Sequence, residues 1–188
     1  PWNSLLNDTT SGDSCIKKQS TPALPGLAGG SASQNANGGA AVTTTGSTPS
    51  GACGSTSGLN CSSAVSYLTS HANPLNDYTG KCAQYVRLAI AAGGLSSFSS
   101  GQGNAYQYGS ILTAAKFTAV YSGTYSSSSG TAFSYQEGDV IVFQPVSGHP
   151  YGHIAMYTGS QWVSDALQSN MASNQADYQG GSFTVYRP

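Results

Sequence analysis

Charged side chains are scarce in this sequence. Lysine, arginine, aspartate and glutamate make up 7% of its 188 residues, against roughly 25% in an ordinary soluble domain. The six basic residues nearly balance the seven acidic ones and form no basic stripe that could neutralise a row of phosphates. The sequence therefore argues against nucleic acid as a partner, and hydroxyl and amide groups must supply its solubility.

Long apolar runs and metal-binding motifs are also missing. No apolar stretch approaches the roughly 20 residues of a membrane-spanning helix, so we expect no membrane span. The chain has four cysteines without a C-x-x-C pair, and its three histidines lack the spacing of metal ligands. We therefore predict neither a metal site nor a cofactor.

The four cysteines leave several pairings open. Cys53 and Cys61 flank the Gly/Ser-rich loop CGSTSGLNC, in which a disulfide is sterically easy if the compartment is oxidising. That pair would leave Cys15 and Cys82 to be explained.

The composition changes near residue 60. Residues 1–60 are rich in Gly, Ser, Thr and Ala, have few large apolar side chains and show no period of 2 or 3.6 residues. This pattern is typical of a low-complexity arm or linker. We therefore place a single folded domain in residues 61–188.

Helices are predicted in the first part of that domain. The segment CSSAVSYLTSHA, which begins at Cys61, has the capping serines and apolar spacing of a short helix. In KCAQYVRLAIAAGG, Val86, Ala89 and Ile90 recur on one helical face until Gly93 ends the helix. The segment GNAYQYGSILTAA is a weaker helix candidate.

Strands are predicted in the second part. Short β-branched and aromatic runs alternate with Gly, Ser, Pro or Asn, and these runs are KFTAVYS, DVIVFQPV, HIAMYTG, QWVSDAL and SFTVYRP. Helices followed by strands indicate an α+β fold in which N-terminal helices pack on an antiparallel sheet.

Cys82 is the candidate nucleophile because it lies in the first turn of the second predicted helix. A thiol attacks only as the thiolate, and the unpaired N–H groups of a helix N-terminus lower a cysteine pKa. The alternative is that Cys82 is a small buried apolar residue. A thiol nucleophile also needs an imidazole base and a polar group that orients the imidazole, and His153 begins a predicted strand after the glycine of YGH.

Asp165 is the candidate for the orienting group. Gly159 and Ser160 are placed to form a tight turn, so that HIAMYT and QWVSDA pair antiparallel and Asp165 returns beside His153. There its carboxylate would accept from the imidazole Nδ1–H. Gln168 is the rival, because an amide oxygen can orient an imidazole without adding charge.

Three segments resemble a known family. GKCAQYVRLAIAAGG, EGDVIVF and GHIAMYTGSQWVSD are similar to the nucleophile helix, first core strand and histidine strand of the NlpC-type and CHAP peptidoglycan amidases. The resemblance covers roughly residues 61–188 and implies a papain-like fold. It also implies that Cys82, His153 and Asp165 cleave an amide of the peptidoglycan stem peptide or cross-link, as in phage and type VI secretion amidases.

The resemblance carries further expectations. The Cys82 backbone N–H and the Tyr78 hydroxyl are candidates for holding the oxyanion, and Tyr78 can also serve only in packing. His149 is a candidate for lining the cleft, although a solvated loop histidine is the simpler interpretation. We expect a monomer that is secreted or delivered to the bacterial periplasm or cell wall, with an immunity protein as a possible partner. A non-catalytic wall-binding module and a transglutaminase-like acyltransferase remain as alternatives.

Overall fold

The computed structural model describes residues 53, 56–126, 133–173 and 175–188. The arm predicted in residues 1–60 therefore lies almost entirely outside the described residues. Within them, helices precede the strands as the sequence predicts, except for one four-residue helix before the last strand. The α+β fold class is confirmed, with helices packed against an antiparallel sheet.

Three helices precede the strands, and the third is shorter than the other two. They are α1 (Cys61–His71), α2 (Cys82–Ala92) and α3 (Tyr108–Ala114). The ends of α1 and α2 are tied together where the Asn60 N–H donates to the Gly93 carbonyl at 2.8 Å. A Cβ on Gly93 would collide with Leu59 and with the Asn60 carbonyl, so only glycine permits this close approach.

The described strands form one antiparallel sheet. They are β1 (Thr118–Thr124), β2 (Val140–Phe143), β3 (His153–Tyr157), β4 (Trp162–Val163) and β5 (Ser182–Arg187), in the spatial order β1-β5-β2-β3-β4. A further short helix, α4 (Gln175–Tyr178), precedes β5.

The sheet has an apolar cluster on each face. All four residues of β2 are buried, because successive side chains of a strand point to opposite faces and β2 is paired on both sides. Val140 and Val142 join the cluster that contains α1, α2 and α3, whereas Ile141 and Phe143 join the cluster on the other face. Helix α2 packs against β3, which brings the helix of Cys82 to the strand of His153.

Candidate active site

Cys82 is the first residue of α2 and is fully buried. Its sulfur is part of a disulfide, and none of the described cysteines has a free thiol. Cys53 and Cys61 are bonded to each other, which confirms the pairing that the sequence made sterically easy. Cys15 lies outside the described residues. In this state the Cys82 sulfur carries neither a proton nor a thiolate charge.

The loop that leads into Cys82 is held by a buried carboxylate. Asp165 Oδ2 accepts from the Thr79 N–H at 2.7 Å, from the Thr79 hydroxyl at 2.9 Å and from the Lys81 N–H at 3.1 Å. The other oxygen accepts from the Ser164 hydroxyl at 3.0 Å. A negative group at a helix N-terminus is also favourable for the helix dipole. Asp165 therefore fixes the backbone immediately before Cys82.

This position of Asp165 differs from the predicted one. The predicted hairpin does form, but β3 and β4 pair only at Met156 with Val163 and Tyr157 with Trp162. Beyond Val163 the chain folds back on itself, with a bridge between Val163 and Leu167. Asp165 lies at the tip of that turn. It is not paired with β3 and does not lie opposite His153. The hydrogen bond from the His153 ring goes to another residue.

Gln168 is the residue that contacts the imidazole. His153 is fully buried, and its Nε2 lies 3.1 Å from Gln168 Oε1. The Gln168 Nε2 donates to the Asn170 carbonyl at 2.9 Å, which turns the amide oxygen toward the ring. The imidazole therefore donates from Nε2, not from Nδ1 as expected for an Asp165 partner. Its Nδ1 is buried and has no hydrogen-bond partner among the described residues.

The protonation state of His153 follows from its burial. Loss of hydration disfavours the imidazolium and lowers the pKa of His153 to about 4. The Asp165 charge and the Gln168 hydrogen bond act in the opposite direction, while His149 lowers the pKa further. At neutral pH the ring is therefore uncharged and can accept a proton at Nδ1.

His149 is buried rather than solvated. It is 7% exposed, and its Nε2 lies 2.8 Å from the Asp177 carboxylate. The centre of the Tyr178 ring lies near both histidine rings, 4.9 Å from that of His149 and 6.0 Å from that of His153. The interpretation of His149 as a solvated loop residue was therefore wrong, and its position beside His153 remains compatible with a role at the cleft.

Tyr178 and Gly152 set the start of β3. The Tyr178 hydroxyl donates to the Gly152 carbonyl at 3.0 Å, one residue before His153. Sequence reasoning did not identify Tyr178, because a tyrosine in a four-residue helix carries no pattern that links it to a strand far earlier in the chain. The YGH motif was the only signal at this corner, and it pointed to the histidine.

Tyr78 lies in the loop before Cys82, and its hydroxyl is already hydrogen-bonded. Its hydroxyl donates to the Ser173 carbonyl at 3.0 Å and lies 3.0 Å from Asn76 Oδ1. Burial and the nearby charge of Asp165 raise its pKa well above the usual value, so the hydroxyl keeps its proton. Tyr78 is a neutral donor at this site.

The described residues supply acid–base chemistry without a metal centre. They contain no group of three or more His, Cys, Asp or Glu side chains arranged to hold a metal ion. Their helices are too short or too polar for any of them to cross a membrane. With Cys82 reduced, the arrangement is a helix-terminal thiol and a neutral, oriented imidazole, which suits nucleophilic attack on a carbonyl group.

Comparison with known proteins places this site in context. The CHAP domain family matches residues 73–166, the span from the loop before Cys82 to the turn that holds Asp165. The structure is similar to a type VI native effector–immunity complex, Tae3–Tai3 from Ralstonia pickettii, with 36% identity and a TM-score of 0.56. That match covers 68% of this chain and 97% of the solved chain.

A second solved structure, the selenomethionine form of the same Ralstonia pickettii complex, matches with 35% identity and a TM-score of 0.54. It covers 66% of this chain and 98% of the solved chain. A search among curated proteins produced no match. The two structural matches therefore span nearly the full length of the solved chains.

Proposed function

This chain belongs to the CHAP domain family of peptidoglycan amidases, and we propose that it cleaves an amide of the stem peptide or cross-link with a thiol nucleophile. Cys82 is the nucleophile, His153 is the general base and acid, and Gln168 orients the imidazole. The observation that carries the proposal is the environment of His153, with Nε2 held by an acceptor and Nδ1 buried without a partner among the described residues.

The proposed reaction begins with reduced Cys82. The Nδ1 lone pair of His153 takes the thiol proton, and the thiolate attacks the carbonyl carbon of the amide. The imidazolium then donates this proton to the leaving amine, and an acyl-enzyme remains on Cys82. His153 next removes a proton from water, whose oxygen attacks the acyl carbon. The C–S bond breaks, the acyl group leaves as a carboxylic acid, and the imidazolium returns its proton to the Cys82 sulfur.

The oxyanion of the tetrahedral intermediate needs oriented donors. Residue 82 begins α2, where backbone N–H groups point out of the helix end. We assign its N–H to the oxyanion. The neutral hydroxyl of Tyr78 is the second candidate, and it would have to exchange the Ser173 carbonyl for the substrate oxygen.

In this proposal Asp165 does not orient the imidazole, which is the role predicted from the sequence. Its carboxylate holds Thr79 and Lys81 and so positions the nucleophile through the backbone. Its negative charge also raises the pKa of His153, which favours the imidazolium that forms when Cys82 loses its proton. Asp165 is a positioning residue, and Gln168 is the residue in contact with the ring.

We also propose the biological setting from the structural relatives. The similarity to effectors solved with their immunity protein supports an antibacterial effector that acts in the periplasm of a target cell and is neutralised by a partner protein. In this proposal residues 61–188 form the catalytic domain and residues 1–60 an arm attached to it.

Digestion of purified peptidoglycan tests the activity. Reduced protein is incubated with sacculi, and the muropeptides are identified by mass spectrometry. Hydrolysis predicts shortened stems or opened cross-links, an acyltransferase predicts new amide linkages, and a binding module predicts no product.

The nucleophile is tested by substitution. Cys82→Ser should lower the rate about a thousandfold or more, since a hydroxyl at this site is not ionised as a thiol is. The control is the double variant Cys53→Ser, Cys61→Ser, which removes the other disulfide and should keep the reaction. Turnover at the wild-type rate by folded Cys82→Ser protein would contradict the proposal.

A further inference from the structure

Three non-glycine residues in the described part of the chain have a left-handed backbone. They are Asn76, Lys116 and Ser173, with φ of +59°, +70° and +55°. The conformation is unfavourable for a residue with a Cβ, because that atom comes too close to the following carbonyl oxygen. Residues in this conformation persist where the surrounding structure holds them, and they are common at functional sites.

Two of these three residues surround one hydroxyl group. The Tyr78 hydroxyl lies 3.0 Å from the Ser173 carbonyl oxygen and 3.0 Å from Asn76 Oδ1. A phenol has a single proton, so it can donate fully to only one of these acceptors at a time. Tyr78 lies four residues before Cys82, and its hydroxyl is the second candidate for holding the oxyanion. The left-handed residues are thus concentrated at a donor that the substrate has to recruit.

Ser173 is the more strained of the two acceptors. Asparagine adopts the left-handed conformation more readily than serine does. The Ser173 side chain is buried, and its Oγ has no hydrogen-bond partner among the described residues. The side chain therefore does not explain the backbone conformation. The contact that accompanies it is the bond from the Tyr78 hydroxyl to the Ser173 carbonyl.

This strain changes the cost of releasing the Tyr78 hydroxyl. Donation to a substrate oxygen requires that Tyr78 gives up the Ser173 carbonyl, which loses the stabilisation of one neutral hydrogen bond. The strain of one left-handed residue is of the same order. Relaxation of Ser173 on release offsets most of the loss, whereas an unstrained acceptor at the same place would offer no such compensation.

We propose that Ser173 is a positioning residue whose strained backbone keeps the Tyr78 hydroxyl in place and allows its transfer to the oxyanion of the substrate at little cost. The inference rests on the proposed function, in which the oxyanion forms when Cys82 attacks the amide. Ser173 touches no reacting atom and acts through Tyr78. The phenol proton stays on its own oxygen throughout, and only its acceptor changes.

Two substitutions at residue 173 separate the backbone from the side chain. Ser173→Ala keeps the Cβ, and hence the strain, and removes only a hydroxyl that has no partner among the described residues. Its kcat should stay within about twofold of the wild-type value. Ser173→Gly removes the strain, so Tyr78 is released at a higher cost. We expect kcat of the reduced full-length protein to fall about fivefold to tenfold, with KM unchanged.

Lys116→Gly is the matched control. Lys116 has the same left-handed conformation and is exposed in the turn between α3 and β1. Strands β5 and β2 separate β1 from β3, the strand of His153. Glycine at this position relieves a similar strain far from the site, so kcat should be that of the wild-type protein.

Tyr78→Phe shows whether Ser173 acts through Tyr78. This variant lacks the donor, and its kcat should fall about tenfold or more. The double variant Tyr78→Phe, Ser173→Gly should have the same kcat as Tyr78→Phe, because the strain has no effect once the hydroxyl is absent. A further decrease in the double variant would assign Ser173 a merely structural role. Wild-type kcat in either single variant, beside an active wild-type protein, would also overturn the inference.

Urea unfolding separates failure of this inference from failure of the proposed function. Tyr78→Phe should lower the urea midpoint less in the wild-type background, where Ser173 can relax, than in the Ser173→Gly background, where no strain is relieved. Equal decreases would overturn the inference whether or not the protein is active. If reduced wild-type protein leaves peptidoglycan intact while the two decreases differ, the amidase proposal fails and the strained contact between Ser173 and Tyr78 is retained.

Discussion

Gln168 Oε1 lies 3.1 Å from His153 Nε2, across fifteen residues of chain. The amide cannot rotate its oxygen away from the ring without losing the hydrogen bond that Gln168 donates to the Asn170 carbonyl. The amide thereby selects the imidazole tautomer whose proton is on Nε2, and the lone pair is left on Nδ1. A neutral side chain performs an orienting task that carboxylates perform in many thiol and serine enzymes.

Removal of this amide should impair catalysis. In Gln168→Ala the imidazole loses the acceptor at Nε2, so both neutral tautomers can form. We therefore expect kcat to fall roughly tenfold to a thousandfold. Gln168→Glu keeps an acceptor and adds a negative charge, so it should recover most of the rate and raise the pKa of His153. The pH profile of kcat/KM measures both effects, and Gln161→Ala, a half-buried residue at the end of the hairpin turn, is the matched control.

Stability and turnover together distinguish the role of Gln168 from that of Asp165. Asp165→Asn weakens charge-assisted hydrogen bonds to Thr79 and Lys81, so it should lower the free energy of unfolding by about 2 kcal/mol. Its loss of activity should accompany that loss of stability. A stable Asp165→Asn protein with crippled turnover, beside a nearly normal Gln168→Ala protein, would return the orienting role to Asp165.

Two glycines before β3 offer a matched test of backbone geometry. Gly148 and Gly152 both have positive φ, +84° and +68°, but a Cβ at 148 meets no atom within 4 Å, whereas one at 152 collides with the Phe143 carbonyl and crowds Tyr106. Gly148→Ala should cost only the left-handed conformation, about 1 kcal/mol. Gly152→Ala should cost distinctly more and should also reduce kcat, because His153 follows directly. Urea unfolding measures the difference in the free energy of unfolding. Equal losses in the two variants would show that the backbone at the start of β3 can shift to accommodate a Cβ.

The low pKa of His153 predicts a pH-dependent stability. Burial lowers this pKa to about 4, whereas the ordinary value is 6.5. Between these values the unfolded chain binds more protons than the folded chain, so the free energy of unfolding falls as the pH is lowered through this window. The contribution is complete above the ordinary value and is lost as the pH approaches 4.

Urea titrations at several pH values check this dependence. The midpoint of the wild-type protein should decrease from about pH 7 to about pH 4.5, in the window set by the His153 pKa. His153→Gln should weaken the dependence. His71→Gln, at the partly buried end of α1, is the control and should keep it. An unchanged slope in His153→Gln would assign the dependence to another group.

Local patterns predicted where the helices and strands lie along the chain. The apolar period that ends at Gly93 corresponds to α2, and the β-branched and aromatic runs around Ile141 and Ala155 correspond to β2 and β3. These signals are local, because each depends on which face of one element is buried. The elements that the sequence analysis named are therefore present at nearly the expected positions.

The contacts within the site depended on longer-range geometry. The position of Asp165 follows from where the β3–β4 ladder stops, and the residues of QWVSDAL do not reveal that only Trp162 and Val163 pair. The burial of His149 depends on Asp177, 28 residues away. The residues of a hairpin specify its turn more strongly than the number of paired residues in its strands. The contact of Gln168, and not Asp165, with the His153 ring therefore follows only from the three-dimensional structure.

Asp165 also joins two ends of one loop. Its carbonyl accepts from the backbone and side-chain N–H groups of Asn73, while its carboxylate holds Thr79 and Lys81. The stretch between these anchors carries Leu75, the exposed large apolar side chain of the described residues. Because both ends of this stretch are bonded to the same buried residue, we expect substitutions at Leu75 to leave the position of Cys82 unchanged. The surface around Leu75 is thereby uncoupled from the backbone position of Cys82, so the two can change independently of each other.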